Sequence, residues 1–446
     1  MPCREKSEKK LGNYRFFSYL CIIKNWKSMK KCVFLIGLAI LAASCNSDDS
    51  TGSDDKVVYM LPQTRSISLS ADQQQIVSQC NDFAFDLFRG INQTIQEKNG
   101  FLVSPLSTAY VMGMLWQGAQ GRTAEQIAAV LGLDRGVSTQ SAGELFRKMM
   151  KELPEVDPSV TLKTANLVAA NKMLSLSKSY SRDVENYYNA HVTSLDFNLT
   201  SSLNYLNEWC GKHTEGMIPT ILDRLDPANM LVLMNATYFK ATWTEKFDKA
   251  DTRNEAFTGD NSQLTLPMMH RKALMLYADN DLFSMINLPY GSGDKWSMKV
   301  LLPQVGKSVD DIMTSLTEDT WKQSQQQLSP AVVDVKLPRF TTQTSLKLND
   351  VLSRLGASAM FSPQEADFSL MCSNTPLYVS LLLQKSALEL SEEGTQMNAV
   401  TIAEIPAGAA GPVTEEREFH ATRPFVYVVQ EASSGAVLFV GVFRGN

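Results

Sequence analysis

Between Ser386 and Val413 the chain reads SALELSEEGTQMNAVTIAEIPAGAAGPV. It opens as a strand, with Leu388 and Leu390 alternating against Glu389 and Ser391. Two acids and a glycine follow, Glu392-Glu393-Gly394, and then fourteen residues, Thr395 to Gly408, without a basic or aromatic side chain. The run Ala407-Gly408-Ala409-Ala410-Gly411-Pro412 has the composition of an exposed loop. The segment is too polar for a core element. Yet Thr395, Met397, Ala399 and Thr401 share one face at period two, and Gln396, Asn398 and Val400 share the other. The stretch is predicted to be a loop that can become a strand.

The rest of the chain alternates helical and strand patterns. Ile76, Cys80, Phe83, Ala84, Leu87 and Phe88 recur at helical spacing. A second helix is predicted to start at Ser104 or Pro105 and to end near Gly118–Gly121, with Ser104 and Ser107 as ordinary capping residues. Thr123 is expected to cap a third helix, Ala124 to Leu131. Leu162–Ala170 reads as a buried strand, Leu203–Met217 as a helix, and Leu231–Trp243 as an apolar strand that ends on a tryptophan. Met285–Tyr290, Trp296–Pro303 and Val333–Phe340 read as short strands, Leu346–Leu355 as a helix stopped by Gly356, and the C-terminus as a hairpin across Ser433-Ser434-Gly435.

Taken together, and in this order, these motifs resemble the serpins. The hinge match is Glu392-Glu393-Gly394-Thr395, about fifty residues before the C-terminus. Further matches are Asn81–Leu87, Gly100–Ser107, the helix with Asn207 and Trp209, the strand Leu231–Trp243, and Ala366–Ser369. The resemblance covers roughly residues 71–446 and overrides the length of 446 residues, which alone suggests two or three domains. It implies a single α+β domain of about nine helices and three β-sheets, with an exposed reactive-centre loop. It further implies a hinge at Glu392, Glu393, Gly394, Thr395, Gln396, Met397, Asn398, Ala399, Val400 and Thr401. Ser104, Ser107, Asn235 and Gln384 fall at the opening region of the main sheet, and Trp243 at its top, where the loop first enters. Gln384 stands where many serpins have a histidine, and can still donate and accept. Met397 and Asn398 depart from the small residues usual in inhibitory members.

The activity implied is irreversible inhibition of a protease. The enzyme cuts the loop and is trapped as its acyl-enzyme when the freed strand enters the sheet. Counting from Gly394 places the scissile bond at Gly408–Ala409, with Ala407–Gly408 and Ala409–Ala410 as neighbours. No Lys or Arg lies between Gln396 and Glu416, and no aromatic residue, which disfavours trypsin-like and chymotrypsin-like targets. Elastase-like or subtilisin-like serine proteases fit, as do cysteine proteases of the same preference. The alternative is a non-inhibitory serpin-fold binding protein that is cut without insertion. A hydrolase with an unmarked Ser/His/Asp triad is a remote third reading, since no serine carries a local signature.

The N-terminus reads as an address. Met29-Lys30-Lys31 precedes about a dozen apolar residues, which matches a secretory signal and is short for a membrane span. Leu41-Ala42-Ala43-Ser44-Cys45 resembles a bacterial lipobox, which implies a lipid on Cys45. Residues 1–28 are then an upstream over-extension, 29–44 a lipoprotein signal peptide, and 45–70 an acidic flexible tether. The expected location is the outer membrane or surface of a Gram-negative bacterium. Removal of residues 1–44 leaves 33 basic and 45 acidic residues, a net charge of −12. That charge disfavours nucleic acid and anionic membrane surfaces. The expected protein is a monomer that touches the membrane through its lipid alone. Among seven cysteines no CxxC spacing occurs, and the four histidines lack metal-ligand spacing. The reading calls for no cofactor and no metal.

Overall fold

The computed structural model describes residues 63–95, 100–217, 219–260, 262–293, 295–395 and 415–445. Among them lie nine α-helices: α1 (Ala71–Thr94), α2 (Pro105–Gly118), α3 (Gly121–Val130), α4 (Thr139–Glu152), α5 (Lys178–Tyr188), α6 (Thr200–His213), α7 (Val309–Ser315), α8 (Glu318–Gln326) and α9 (Asn349–Leu355).

The main sheet has the order β10 (Phe340–Lys347), β11 (Leu381–Leu390), β4 (Leu231–Thr242), β2 (Thr161–Asn171), β3 (Ala190–Leu195), and the two-residue β12 (Gly394–Thr395) also pairs with β4. A second hydrogen-bonded network runs β1 (Phe101–Val103), β15 (Val437–Phe443), β14 (Phe425–Glu431), β8 (Trp296–Pro303), β7 (Phe283–Tyr290), β6 (Gln263–Asp279), β9 (Ser329–Pro338), β13 (Glu416–His420), with β5 (Arg253–Thr258) on β6. The seventeen-residue β6 pairs with β7 only over Tyr277–Asp279 and with β9 and β5 over the rest, so it is shared between two layers. Three sheets are thus joined into two networks by one long strand.

Residue type accounts for the layering. Every residue of β8, β14 and β15 is buried, as continuous apolar runs require when both faces are covered. α1 buries its predicted stripe and starts with a capping box between Ser70 and Gln73. α2 is buried on all sides from Pro105 to Trp116, behind the inner face of the main sheet. On the outer face, Leu206, Trp209 and Cys210 of α6 form a separate apolar cluster with Val232, Met234 and Ala236 of β4, Leu167 and Ala169 of β2, and Leu383 of β11. The main sheet is therefore clasped between α2 and α6.

Three local expectations fail for identifiable reasons. Thr123 lies inside α3, whose N-cap is Gln120, and its hydroxyl accepts from the Asp367 N–H (2.9 Å). The helix predicted from Leu346 begins at Asn349, because Leu346 and Lys347 still belong to β10, opposite Gln384 and Leu383. α6 begins at Thr200, ahead of the apolar residue from which it was read.

Candidate functional site

β11 and β4 are parallel neighbours, and their ladder is short. It runs from Leu381↔Val232 to Lys385↔Ala236 and stops there. Beyond it, Ser386–Leu390 remain paired to β10 alone. The chain then reverses in a two-residue hairpin turn. Ser391 N–H donates to the Gly394 carbonyl (2.9 Å) and Gly394 N–H to the Ser391 carbonyl (3.1 Å), with Glu392 and Glu393 at the corner. Gly394 and Thr395 come back antiparallel to β4, opposite Thr242 and Ala241. The hinge thus occupies the upper end of the space where β11 and β4 part.

Each hinge residue has a physical reason to be there. Gly394 has φ +127°, and a Cβ on it would lie 2.5 Å from the Ala241 carbonyl oxygen and 2.6 Å from Thr242 Cα. Both the backbone angle and the close approach require glycine. We expect Gly394→Ala to unseat β12 at a cost of at least about 2 kcal/mol, read as a lower urea midpoint with an unchanged m-value.

Glu392 is buried, and its carboxylate accepts from Thr252 Oγ1 (2.8 Å) and faces Arg339 at 3.4 Å. Its carbonyl accepts from the Phe247 N–H (3.1 Å). Glu393 pairs with Lys246 (2.6 Å) and Lys249 (3.1 Å), whose hydrogen bonds hold its carboxyl below the usual range. A depressed carboxylate pKa means that this anchorage is present above the unfolded pKa and is lost as pH falls through the folded one.

Trp243 completes the corner. Its N–H donates to the Glu393 carbonyl and its indole Nε1 to the Ser391 carbonyl, both at 2.9 Å. Its ring stacks on Tyr290 with centroids 4.4 Å apart. The Tyr290 phenol, pushed by burial above its usual range, is 2.9 Å from Thr395 Oγ1. Thr395 is only 3% exposed and points inward.

Below the parting point the inner face of the main sheet carries a buried relay of neutral side chains. Gln384 on β11 accepts from the Ser104 N–H (3.0 Å) and donates to the Ser104 carbonyl (2.8 Å) and Thr108 Oγ1 (3.0 Å). Ser104 Oγ lies 2.9 Å from both Ser107 Oγ and the Leu438 carbonyl oxygen, which share its single proton. Ser107 Oγ then meets Thr237 Oγ1, which donates to Asn235 Oδ1 (3.1 Å). Asn235 Nδ2 donates to Asn166 Oδ1 (2.8 Å), and Asn166 Nδ2 to the Tyr188 carbonyl (2.8 Å). The relay runs from β11 through α2 to β4 and β2, and it is the polar link across the place where the sheet would open.

Ser104 corrects a sequence-based expectation: it is the N-cap of α2 but makes no side-chain cap bond, because its hydroxyl is engaged by Ser107 and β15. We expect Gln384→Leu to strand the Ser104 N–H in the core and cost about 1–3 kcal/mol. With no titratable group in the relay, that loss should be the same at pH 6 and pH 8 in denaturant melts.

On the outer face, α6 is tied down beside the same strands. Asn207 Oδ1 accepts from the Ile221 and Leu222 N–H groups (2.8 and 3.0 Å), and Lys385 Nζ donates to the Thr220 carbonyl. A cavity of about 270 Å³ lies here, lined by Met217 and Pro219 on one side and by Ser386, Ala387 and Thr344 on the other.

The structure therefore brings Glu392, Glu393, Gly394, Thr395 and Trp243 into one corner, and Ser104, Ser107, Asn235 and Gln384 into one relay. Gln396, Met397, Asn398, Ala399, Val400 and Thr401, the bond Gly408–Ala409 with Ala407 and Ala410, and Cys45 lie outside the described residues. Sequence reasoning did not find Tyr290, Thr237, Thr108, Asn166 or the basic partners Lys246, Lys249 and Arg339. Asn166 had a signal, since an asparagine inside an apolar strand needs a buried partner.

Comparison with known proteins agrees with this geometry. The family model described as Serpin (serine protease inhibitor) matches residues 78–444. The chain is 30% identical over 398 residues to an uncharacterized serpin-like protein of Thermococcus kodakarensis, a match spanning 89% of this chain and 92% of the relative. It is 31% identical over 386 residues to the human leukocyte elastase inhibitor, spanning 83% of this chain and 99% of the inhibitor. The native state of tengpin, a thermophilic serpin, superposes with a TM-score of 0.76 at 26% identity and covers 86% of this chain and 97% of its own. With its hinge, its clasped main sheet and its sequence in agreement over most of its length, the chain belongs to the serpin family, whose relatives here include protease inhibitors.

Proposed function

We propose that the protein is a suicide-substrate inhibitor of serine proteases that prefer small residues, acting by insertion of residues 395–408 between β4 and β11. The observation that carries this reading is the position of β12. Thr395 and Gly394 stand as the first rungs of a strand antiparallel to β4, at the point where the β4–β11 ladder is missing. Continuing the register that sets Thr395 opposite Ala241 brings Met397 to Phe239, Ala399 to Thr237 and Thr401 to Asn235. The small Ala399 and the hydroxyl of Thr401 then arrive at the buried relay, where a large or charged side chain would not fit.

The energetics favour insertion once the loop is cut. A strand antiparallel to both neighbours replaces one short parallel ladder with two antiparallel ones. About a dozen ladder bonds at ~1 kcal/mol each exceed the five-rung ladder that is lost. Together with burial of the inward side chains the gain is on the order of 10 kcal/mol, comparable with the whole stability of a domain. The intact protein is then held by a kinetic barrier. The relay and the α6 clasp are the contacts that must yield before the sheet opens. Cleavage at Gly408–Ala409 frees the N-terminal side of the loop, and its insertion drags the acylated protease from its site of attack before water releases it.

The absence of basic and aromatic residues between Gln396 and Glu416 suits elastase-like and subtilisin-like enzymes. The N-terminal pattern adds a location: residues 29–44 direct export, Cys45 carries lipid, and the segment after it tethers the inhibitor to an outer membrane. The tether expected over 45–70 ends earlier than that, because the Arg65 N–H donates to the Val156 carbonyl (2.8 Å), Ile67 is buried in the core with its N–H on Ser433 Oγ (2.9 Å), and Ser70 caps α1. Labelled palmitate incorporated by the native chain and not by Cys45→Ala would support this, and label in both would refute it.

The test of inhibition is incubation with pancreatic elastase. An SDS-stable complex near equimolar ratio, with release of the peptide that begins at Ala409, is expected. Quantitative cleavage with active enzyme remaining would favour a serpin-fold binding protein that is only a substrate.

A further inference from the structure

Most exposed large apolar residues among those described stand singly: Met173, Leu199, Val305 and Leu370. Leu274 and Leu276 do not. They are 45% and 39% exposed and project from the same face of β6, while Met275 and Tyr277 beside them are buried. Across the ladder, Leu274 lies opposite Val332 and Leu276 opposite Pro330, both on the uncovered face of β9. Four apolar side chains thus form one block on a sheet face that water otherwise meets. The next strand, β13, sets Glu416 beside Val332, and Lys272 reaches Glu416 at 2.9 Å to close a charged rim. An apolar centre with a charged rim is the anatomy of a docking patch.

Its position identifies what docks there. The Val332 N–H donates to the carbonyl of Glu415, the first described residue after the reactive loop (3.2 Å). The seven residues from Ala409 to Glu415, six Cα–Cα steps, reach at most ~22 Å when extended. A protease of ~240 residues has a radius of gyration of ~18 Å. An enzyme that holds Gly408–Ala409 in its cleft is therefore tethered close enough for its body to overlie the block, less than ~10 Å from β13 across two strand spacings. We propose that Leu274, Leu276, Val332 and Pro330 form a secondary docking surface for the attacking serine protease, contacting apolar side chains on the rim of its cleft and raising the rate at which it engages the loop. This rests on the reading of residues 396–414 as a protease-directed loop.

The test separates the two ideas. The double variant L274T/L276T keeps strand-forming residues at exposed positions, and Leu370→Ser controls for loss of an exposed leucine elsewhere. With pancreatic elastase, the second-order rate of loop attack is measured as complex plus cleaved chain, and the partition between them is read separately. Docking predicts an attack rate roughly tenfold lower in L274T/L276T, the loss expected for two truncated interfacial leucines. The control rate, melting temperature and partition should not change. A rate within about twofold of the native chain overturns the docking surface whatever the partition. A native chain that is only cleaved would sink the inhibitory reading while the rate comparison still decides the docking one. Loss of self-association in the variant, with the attack rate unchanged, would assign the patch to a second copy of the chain and equally refute the proposal.

Discussion

Under the proposed mechanism, replacing Thr395 by arginine is expected to leave a protein that elastase cuts as a substrate without being trapped. Thr395 is buried beneath the Trp243–Tyr290 stack, with its hydroxyl on the tyrosine phenol. A guanidinium there would lose water without gaining a carboxylate on that side of the hinge, since Glu392 and Glu393 are engaged at the corner by Arg339, Lys246 and Lys249. An unpaired buried charge costs several kcal/mol. Even 2–3 kcal/mol added to the barrier of the first inserting rung slows insertion ~100-fold. Deacylation then wins the race. In gels with elastase, Thr395→Arg should give cleaved chain and free enzyme with the complex reduced at least tenfold, while Thr395→Ser, which keeps the hydroxyl, should behave as the native chain.

The second large effect is on stability. If the cut loop becomes a central strand, the nicked protein is the more stable form by on the order of 10 kcal/mol. A domain of ~380 residues has an unfolding entropy near 0.8 kcal/mol/K. The melting temperature should therefore rise by more than about 10 °C on cleavage at Gly408–Ala409. Thr395→Arg cut at the same bond should show little of that rise, because the same side chain that slows entry also opposes the final strand. An ordinary globular protein nicked in a loop would move the other way.

Much of this was legible in the sequence, for a definable reason. The hinge is local: Leu388 and Leu390 mark the strand, Glu392-Glu393-Gly394 carry the hinge match, and the period-two face names Thr395 as an inward residue, whereas the reversal of the chain at Glu392 and Glu393 was not read. The glycine is needed where the chain turns, and the structure gives it a positive φ there. What holds the corner was not legible. Lys246 lies in an irregular connection, Lys249 opens a single 3₁₀ turn (Lys249–Asp251), and Arg339 sits between two strands. Their only connection to Glu392 and Glu393 is the folded topology. The relay was half legible. Ser104, Ser107, Asn235 and Gln384 were found through resemblance, but Thr237 and Asn166, which complete the path, sit on strands whose apolar neighbours dominate the pattern. Ser104 shows how a sound local rule fails: a serine at a helix start usually caps it, but here the carbonyl of Leu438, 334 residues away, competes successfully for the hydroxyl. Thr123 was misassigned by the same rule, because the Asp367 N–H, 244 residues on, uses its oxygen.

The relay also bears on how the sheet would open under the proposed mechanism. Ser107–Thr237 joins α2 to the β4 side, and Ser104–Gln384 joins it to the β11 side. Separation of β4 from β11 by one strand spacing must break at least one of these links. Its barrier contribution resides in hydrogen bonds between neutral groups, so the rate of insertion should change little with pH as long as the Glu393 carboxylate, held low by Lys246 and Lys249, stays ionised.

The most direct measurement is the crystal structure of the protein after cleavage at Gly408–Ala409. The account predicts residues 395–408 as a strand antiparallel to both β4 and β11, with Thr401 opposite Asn235 and the pairing of Leu381 with Val232 gone. A cleaved structure that keeps the Leu381–Lys385 ladder on Val232–Ala236, with the loop outside the sheet, would contradict it.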